Sequence, residues 1–588
     1  MSLLTDLSGL FGDAFASIGL DRAFGEVSFS QRPDLGQFQC NGALPAAKPA
    51  GRNPREIAQE VLEVVSGDER IAELSLAGPG FINITLTDEF LATELDELAH
   101  DPRLGVAKVT ESLSVIVDYG GPNVAKEMHV GHLRPAIIGE SIKRILRFEG
   151  HQVTGDVHLG DWGTPMGQLI VELSERMPEL PYFDPNGTGP YPAESPVSVA
   201  DLQLMYPIAS QRAKDDASFA EAARQATLEL QDGRPGYRAL WQHFRTVSID
   251  AMREVYEDLG VHFDLWNGES TVHDRIQPMI ERLIGAGLTR LSDGAIVVDV
   301  ADEADTKEIP PLLLAKTDGA YLYGTSDLAT IEERIEDLGA RIMVYVVDVR
   351  QSLHFEQVFR AARLTGIAAP DVVLEHAGNG TVNGPDGKPF KTRDGDLLRL
   401  ADLVAMVVER ATQRLDENEL ATGYPREERH RIAHLVGMAA LKFGDLHNHR
   451  ASNYIFDVER FTSFEGKTGP YLLYGAVRAK SILRKAAEGA LDGGPIIPAS
   501  RDTERNLMLQ LTRLPEVFAR AVEHRAPNQL AEYAFEFAAD FNRFLADCHI
   551  LSEPDAARQG SWLALVGTTL RQLELVLDLL GIDIPERM

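Results

Sequence analysis

LSVIVDYGGPNVAKEMHVGHLRPAIIGESIKRILRFEG, residues 113–150, decides how this chain folds. Its opening run, Leu113–Tyr119, is compact and rich in β-branched residues, the composition of a strand buried on both faces of a parallel sheet. A Gly/Pro loop follows. Ile137, Ile138, Ile142, Ile145 and Leu146 then recur at helical spacing, and Gly150 suits the position just past a helix end. HQVTGDVHLGDWG, from residue 151, reads as a second strand and loop. Strand, loop, helix and strand in that order begin a doubly wound α/β sheet.

The loop carries His129-Val130-Gly131-His132 where the helix begins. A helix N-terminus offers unpaired N–H groups and the positive end of a dipole, a ready place for phosphate. Gly131 lets a ligand approach the backbone, and two imidazoles can donate to the oxygens of a reacting phosphate. A helix-capping loop with two half-buried histidines would look the same in isolation. A second loop, GPDGKPFKTR (384–393), places Lys388, Lys391 and Arg393 after two glycines, a pattern suited to closing over a triphosphate. Alone it would read as a solvated hairpin tip; the two loops together favour nucleotide chemistry.

Outward from this core, residues 1–108 mix helical stretches with the strand FINITL after the turn Gly78-Pro79-Gly80. Residues 109–400 continue the α/β pattern, with parallel-type strands at 341–349 and 371–378. An insertion is expected around 175–235, where proline and glycine crowd the stretch 178–207. Residues 401–588 are almost wholly helical in pattern, an all-α bundle. The chain's 588 residues suit several domains, and its formal net charge of −32 argues against wholesale binding of nucleic acid or anionic membrane while leaving room for a local basic track. Two cysteines, Cys40 and Cys548, cannot make a disulfide framework, and no apolar stretch reaches bilayer length. The N-terminal segment reads as an amphipathic helix of the fold, not a signal peptide. A cytoplasmic protein with no membrane partner is expected.

The run 117–141 closely resembles the nucleotide-binding segment of arginyl-tRNA synthetases, a class I aminoacyl-tRNA synthetase family. HLGDWGTPMGQL (158–169), WNGES (266–270), YGTSDLA (323–329), RQSLHF (350–355), GKPFKTRDGD (387–396), FEGKTGPYLLYGAVRAKSILRKA (464–486) and the ending LGIDIPERM match further segments in the family's order. The resemblance implies a Rossmann-like catalytic domain with an insertion (109–400), an α+β N-terminal domain that contacts the tRNA D-loop (1–108), and a helical anticodon-binding domain (401–588). It also implies a reaction. Arginine attacks the α-phosphate of ATP, with Mg2+ accompanying the phosphates and no dedicated protein metal site, and arginyl-adenylate then passes arginine to the terminal adenosine of tRNA(Arg). A monomer is expected.

By the same resemblance His129 and His132 would stabilise charge on the α-phosphate, and Gly131 would underlie the adenine. Lys388 and Lys391 would fill the second signature, here KPFKT, sharing the work with Lys126. Gly120-Gly121 departs from the small residues, such as Ser and Ala, usual there. Asp118, Asn123, Tyr323, Asp327 and Gln351 would form the arginine pocket, where paired carboxylates suit a planar guanidinium and disfavour lysine. Residues 466–486 hold five cations, including Arg478, Lys480, Arg484 and Lys485, and no acid, beside Tyr471 and Tyr474. That segment would form a phosphate track, with Met588 nearby. Phe81 and Asn83 would meet a D-loop base. Residues 254–305, with 12 acids against 3 bases, should face away from tRNA. The competing readings are a small-molecule nucleotidyltransferase and a tRNA-binding protein without catalysis. The first is disfavoured by the long helical part, the second by retention of the histidines, lysines and pocket acids.

Overall fold

A computed structural model describes residues 3–32, 34–317, 321–388, 390 and 398–588. Lys391 and Arg393 therefore lie outside the described residues.

The N-terminal helix Leu3–Ser17 buries Leu3, Leu7, Phe11, Ala14 and Phe15 on one face. That stripe covers a four-stranded antiparallel sheet, ordered Val27–Phe29, Phe38–Cys40, Phe81–Leu86, Ile71–Ala77. FINITL is thus an inner strand of an α+β domain.

The strand expected at 113–119 runs from Ser114 to Tyr119 and is central to a four-stranded parallel sheet. Across the sheet the order is Val373–His376, Ile342–Val346, Ser114–Tyr119, Gln152–Asp156, with Val344 opposite Val117 and Glu375. Chain order reverses between Ser114–Tyr119 and Ile342–Val346, so a crevice opens at their carboxyl ends, where ligands bind in such sheets. Helix Leu133–Glu149 packs on this sheet with Ile137, Ile138, Ile142 and Ile145 buried.

The expected insertion is a stack of three helices, Val199–Asp215, Ala217–Gln231 and Pro235–Asp258, around a core that includes Trp162, Met166, Tyr182 and Phe244. Its last helix runs on to Asp258, because the periodic apolar residues Leu240, Phe244, Ile249, Met252 and Tyr256 keep one buried face. A three-stranded antiparallel sheet, Arg290–Ser292, Ala295–Val298 and Leu312–Ala315, has no counterpart in the sequence reading. Its strands are only three or four residues long, too short for a periodic signal.

From residue 400 onward the described chain is helical but for the two-residue strand Tyr454–Ile455. One continuous core joins this bundle to the parallel sheet. Buried polar ties reinforce the seam: Arg134 Nε lies 3.1 Å from an Asp445 carboxylate oxygen, and Ser141 Oγ donates to Leu579 O at 2.8 Å. No helix among the described residues is long and apolar enough to cross a membrane.

Candidate active site

The crevice is floored by strand ends and walled by loops held in unusual backbone. Gly120 and Gly121 sit at φ +90° and +43°, the left-handed region that glycine tolerates best. A Cβ on Gly120 would lie 2.7 Å from the Tyr256 hydroxyl. Both glycines of the unusual pair therefore have a backbone reason. Ala125, at φ +65°, adopts the same region at greater cost and donates its N–H to the buried Ser248 hydroxyl at 3.1 Å. Asn123 bridges to Gly160, whose Cβ would collide with the Asn123 amide, so the first loop is locked against HLGD.

The two histidines cap each other. The His129 N–H donates to Nδ1 of His132 at 3.1 Å, and the Gly131 N–H donates to Nδ1 of His129 at 3.1 Å. Nδ1 of His129 accepts, so that neutral ring carries its proton on Nε2, whereas Nδ1 of His132 faces both the His129 N–H and, at 3.3 Å, the His129 carbonyl. Burial lowers both rings' proton affinity, His132 to about 4, and the Lys126 ammonium lowers it further. At neutral pH the two rings are uncharged, and their N–H groups suit oxygens whose charge grows during a reaction.

The base of the second loop lies alongside. Val130 N donates to Leu398 O at 3.0 Å, Leu400 N to Met128 O at 2.9 Å, and Leu398 N to Phe390 O at 3.2 Å. Lys388 is exposed on a turn closed by Gly384 N–H and its own carbonyl at 2.7 Å.

Across the crevice lies an acidic half. Asp118 and Asp156, at adjacent strand ends, share the buried Arg334 guanidinium, whose Nη2 lies 2.6 and 2.7 Å from them. Asp118 thus already holds one guanidinium from within the chain. Asp118, Asp156 and His158 have the spacing of metal ligands, but Arg334 already pairs with both carboxylates. His158, at φ +40°, has both ring nitrogens buried without a hydrogen-bond partner among the described residues, its Nδ1 3.9 Å from an Asp156 carboxylate oxygen. Asp327 meets His354 Nε2 at 2.5 Å, Tyr323 is 71% exposed at the mouth, and Gln351 is exposed on the facing loop after Ile342–Val346.

The sequence reading missed Glu269. It lies in the quoted WNGES run, yet nothing marks one acid among the twelve of residues 254–305. Its backbone N–H is fixed by Leu159 O at 3.1 Å, and Asp161 accepts from Ser270 N and Oγ next to it. Burial pushes its carboxyl up to about 7, with Asp161 and Asp327 pushing the same way and His158 opposing. Among the described residues no cation pairs with it.

The expected tRNA contacts are unevenly presented. Asn83 is buried, its amide spent on Gln39 at 2.9 Å and Ser75 at 3.2 Å, while Phe81 is half-buried at the strand end. On helix Gly469–Glu488, Lys480 pairs with Glu586 at 2.9 Å, and Tyr471 and Arg478 both hydrogen-bond Asn542. Lys467 pairs with Glu532. Tyr474 is exposed, as are Arg484 and Lys485, and Met588 packs against the bundle's core.

Comparison with known proteins agrees with this layout. Residues 95–458 match the family described as tRNA synthetases class I (R), catalytic domain; residues 472–588 match the DALR anticodon binding domain, and 6–86 the arginyl tRNA synthetase N terminal domain. The chain is 49% identical over 587 residues to the arginine–tRNA ligase of Alkaliphilus oremlandii and 50% identical over 589 to that of Hyphomonas neptunium, covering 100% of each chain in both cases. The fold is shared with the solved arginyl-tRNA synthetases of Plasmodium falciparum (TM-score 0.83, 24% identity, 100% of this chain and 99% of that one) and Thermus thermophilus (0.80, 24%, 100% of both). With the histidine loop, the acidic half-site and the helical bundle in one frame, the chain belongs to the arginyl-tRNA synthetase family of class I aminoacyl-tRNA synthetases.

Proposed function

We propose that the chain carries out its family's reaction, ATP-dependent ligation of arginine to tRNA(Arg), with the two halves of the crevice dividing the work. The arginine side chain enters the acidic half, where Glu269 and Asp327 face the guanidinium and Tyr323 and Gln351 border it. Asp118 and Asn123 orient the α-amino acid end towards the histidine loop. Arginine's carboxylate oxygen attacks the α-phosphorus of ATP and pyrophosphate leaves. Ring N–H groups of His129 and His132 donate to the oxygens that gain charge in that step. Gly131 lies under the adenine, and Lys126, Lys388 and Lys391 hold the departing phosphates. The hydroxyl of the terminal tRNA adenosine then attacks the adenylate carbonyl, and AMP leaves.

Mg2+, when bound, spreads the triphosphate's charge. Arg334 occupies the one described carboxylate cluster that might have caged a metal, so the ion would be held by the phosphates themselves. We read residues 1–108 as the D-loop contact, through Phe81 with Asn83 shaping the strand beneath. Residues 401–588 are read as the anticodon contact, through Tyr471, Tyr474, Arg478, Lys480, Arg484, Lys485 and the end near Met588. We read the enzyme as a cytoplasmic monomer.

The observation that carries the reading is Glu269, a half-buried, desolvated carboxylate with no cation paired to it among the described residues, in the same crevice as a pair of uncharged histidines. ATP–pyrophosphate exchange with each amino acid, with and without tRNA(Arg), tests it. Arginine alone among the amino acids should support exchange; exchange with another amino acid would overturn the assignment.

A further inference from the structure

Lys126 is placed by more than its own loop. The left-handed Ala125 just before it is held by Ser248 of helix Pro235–Asp258, so the insertion fixes where the lysine's backbone leaves the loop. The insertion also meets its side chain. The Lys126 ammonium stands 4.9 Å from the ring centre of Tyr206, on helix Val199–Asp215. The neighbouring acid, Glu127, is turned towards Arg399 at 3.5 Å, and among the described residues no carboxylate pairs with Lys126. The same ammonium is near enough to both histidines to disfavour their protonation. Tyr206 is in turn close enough to interact electrostatically with Tyr323 at the mouth of the amino-acid half.

A cation near a phosphate site needs to be held without being neutralised. A carboxylate partner would hold it firmly but cancel its charge, and a triphosphate would have to displace that partner. An aromatic face holds an ammonium by its quadrupole, more weakly and with no net charge, so the cation is kept in place and still attracts phosphate. We propose that Tyr206 is a positioning residue for Lys126, supplied by the insertion, which keeps the ammonium beside the histidine loop for the phosphates of ATP. The inference rests on the proposed reaction and adds a function for the insertion within it. The hydroxyl is not required, because the ring face supplies the attraction.

The test is arginine-dependent ATP–pyrophosphate exchange with tRNA(Arg) present, in wild type, Tyr206→Leu, Tyr206→Phe, Lys126→Ala and the Lys126→Ala/Tyr206→Leu double variant. Thermal melts of each accompany the assay. Tyr206→Leu should lower kcat about 3- to 10-fold, the scale of one cation–π contact, with the KM for arginine little changed. Tyr206→Phe should restore the rate, and Tyr206→Leu should add no further loss once Lys126 is alanine. An undiminished rate in Tyr206→Leu, equal losses in the Leu and Phe variants, or a full additional loss in the double variant would each overturn the positioning role. A wild-type enzyme inactive with arginine would instead overturn the functional reading, and the inference with it.

Discussion

The acidic half of the crevice and the basic segment 466–486 are the two charged regions of the molecule that matter most for ligands, and the fold treats them in opposite ways. In the crevice Glu269 is half-buried with no cation paired to it among the described residues, and desolvation raises its pKa to about 7. On the helix Gly469–Glu488, Lys480 is matched to Glu586, and just before the helix Lys467 is matched to Glu532. A count of charges therefore says little by itself. What marks a binding site is a charge that the fold has desolvated and left without its partner, because a ligand then supplies what folding withheld.

The largest effect that could break this contrast lies at the unpaired acid. Glu269→Gln should raise the KM for arginine by about 100-fold or more, the scale of losing one partner of a desolvated charge pair. Asp327→Ala should act similarly and also release His354. Steady-state exchange kinetics read both, and a change below about threefold would remove the acid concerned from the pocket. Next in size, His132→Ala should lower kcat about 100-fold, as for loss of one donor to a developing oxyanion, with the KM for arginine nearly unchanged. That split would separate the two halves of the crevice.

The pH dependence follows from the direction of the Glu269 shift. In the empty site the group holds its proton up to about pH 7, and arginine needs the carboxylate. Below that pH binding must expel a proton, so affinity for arginine should rise with pH and level off above it. Between pH 6 and 8 the KM should fall by up to about 10-fold in wild type, and Glu269→Gln should flatten the slope. Because His132 titrates near 4, its protonation should not contribute in that window.

The smallest effect sharpens the other side of the comparison. Lys485→Ala, which removes an exposed and unpaired cation, should weaken tRNA binding about two- to fivefold and reduce the salt dependence by about one phosphate contact. Lys480→Ala, whose charge is already shared with Glu586, should do less. Filter binding across a salt series distinguishes them; equal slopes would mean that the ion pair opens when tRNA binds.

The sheet was legible because its two central strands, Ser114–Tyr119 and Ile342–Val346, are buried β-branched runs, and the histidine loop because it stands at a strand-to-helix junction and is matched by a second, lysine-bearing loop. Glu269 was hidden for the opposite reason: its importance lies in burial and in the missing cation, neither of which is written in its identity. Arg334 joins Asp118 across 216 positions, a distance no local pattern spans. The Gly120-Gly121 pair became intelligible only as torsion angles, and the role of Asn83 only once both sides of its amide were seen to be occupied. The three-stranded sheet of residues 290–315 was too short-stranded to declare itself.

The helix that begins at the histidines is fastened to the bundle along its length, by Arg134 to Asp445 near its start, Ser141 to Leu579 midway, and Arg144 to Asp578 a turn later. It is the common shaft of the molecule. Because those three contacts fall within eleven residues of one continuous helix, any displacement of the bundle would be passed directly to the loop of His129 and His132.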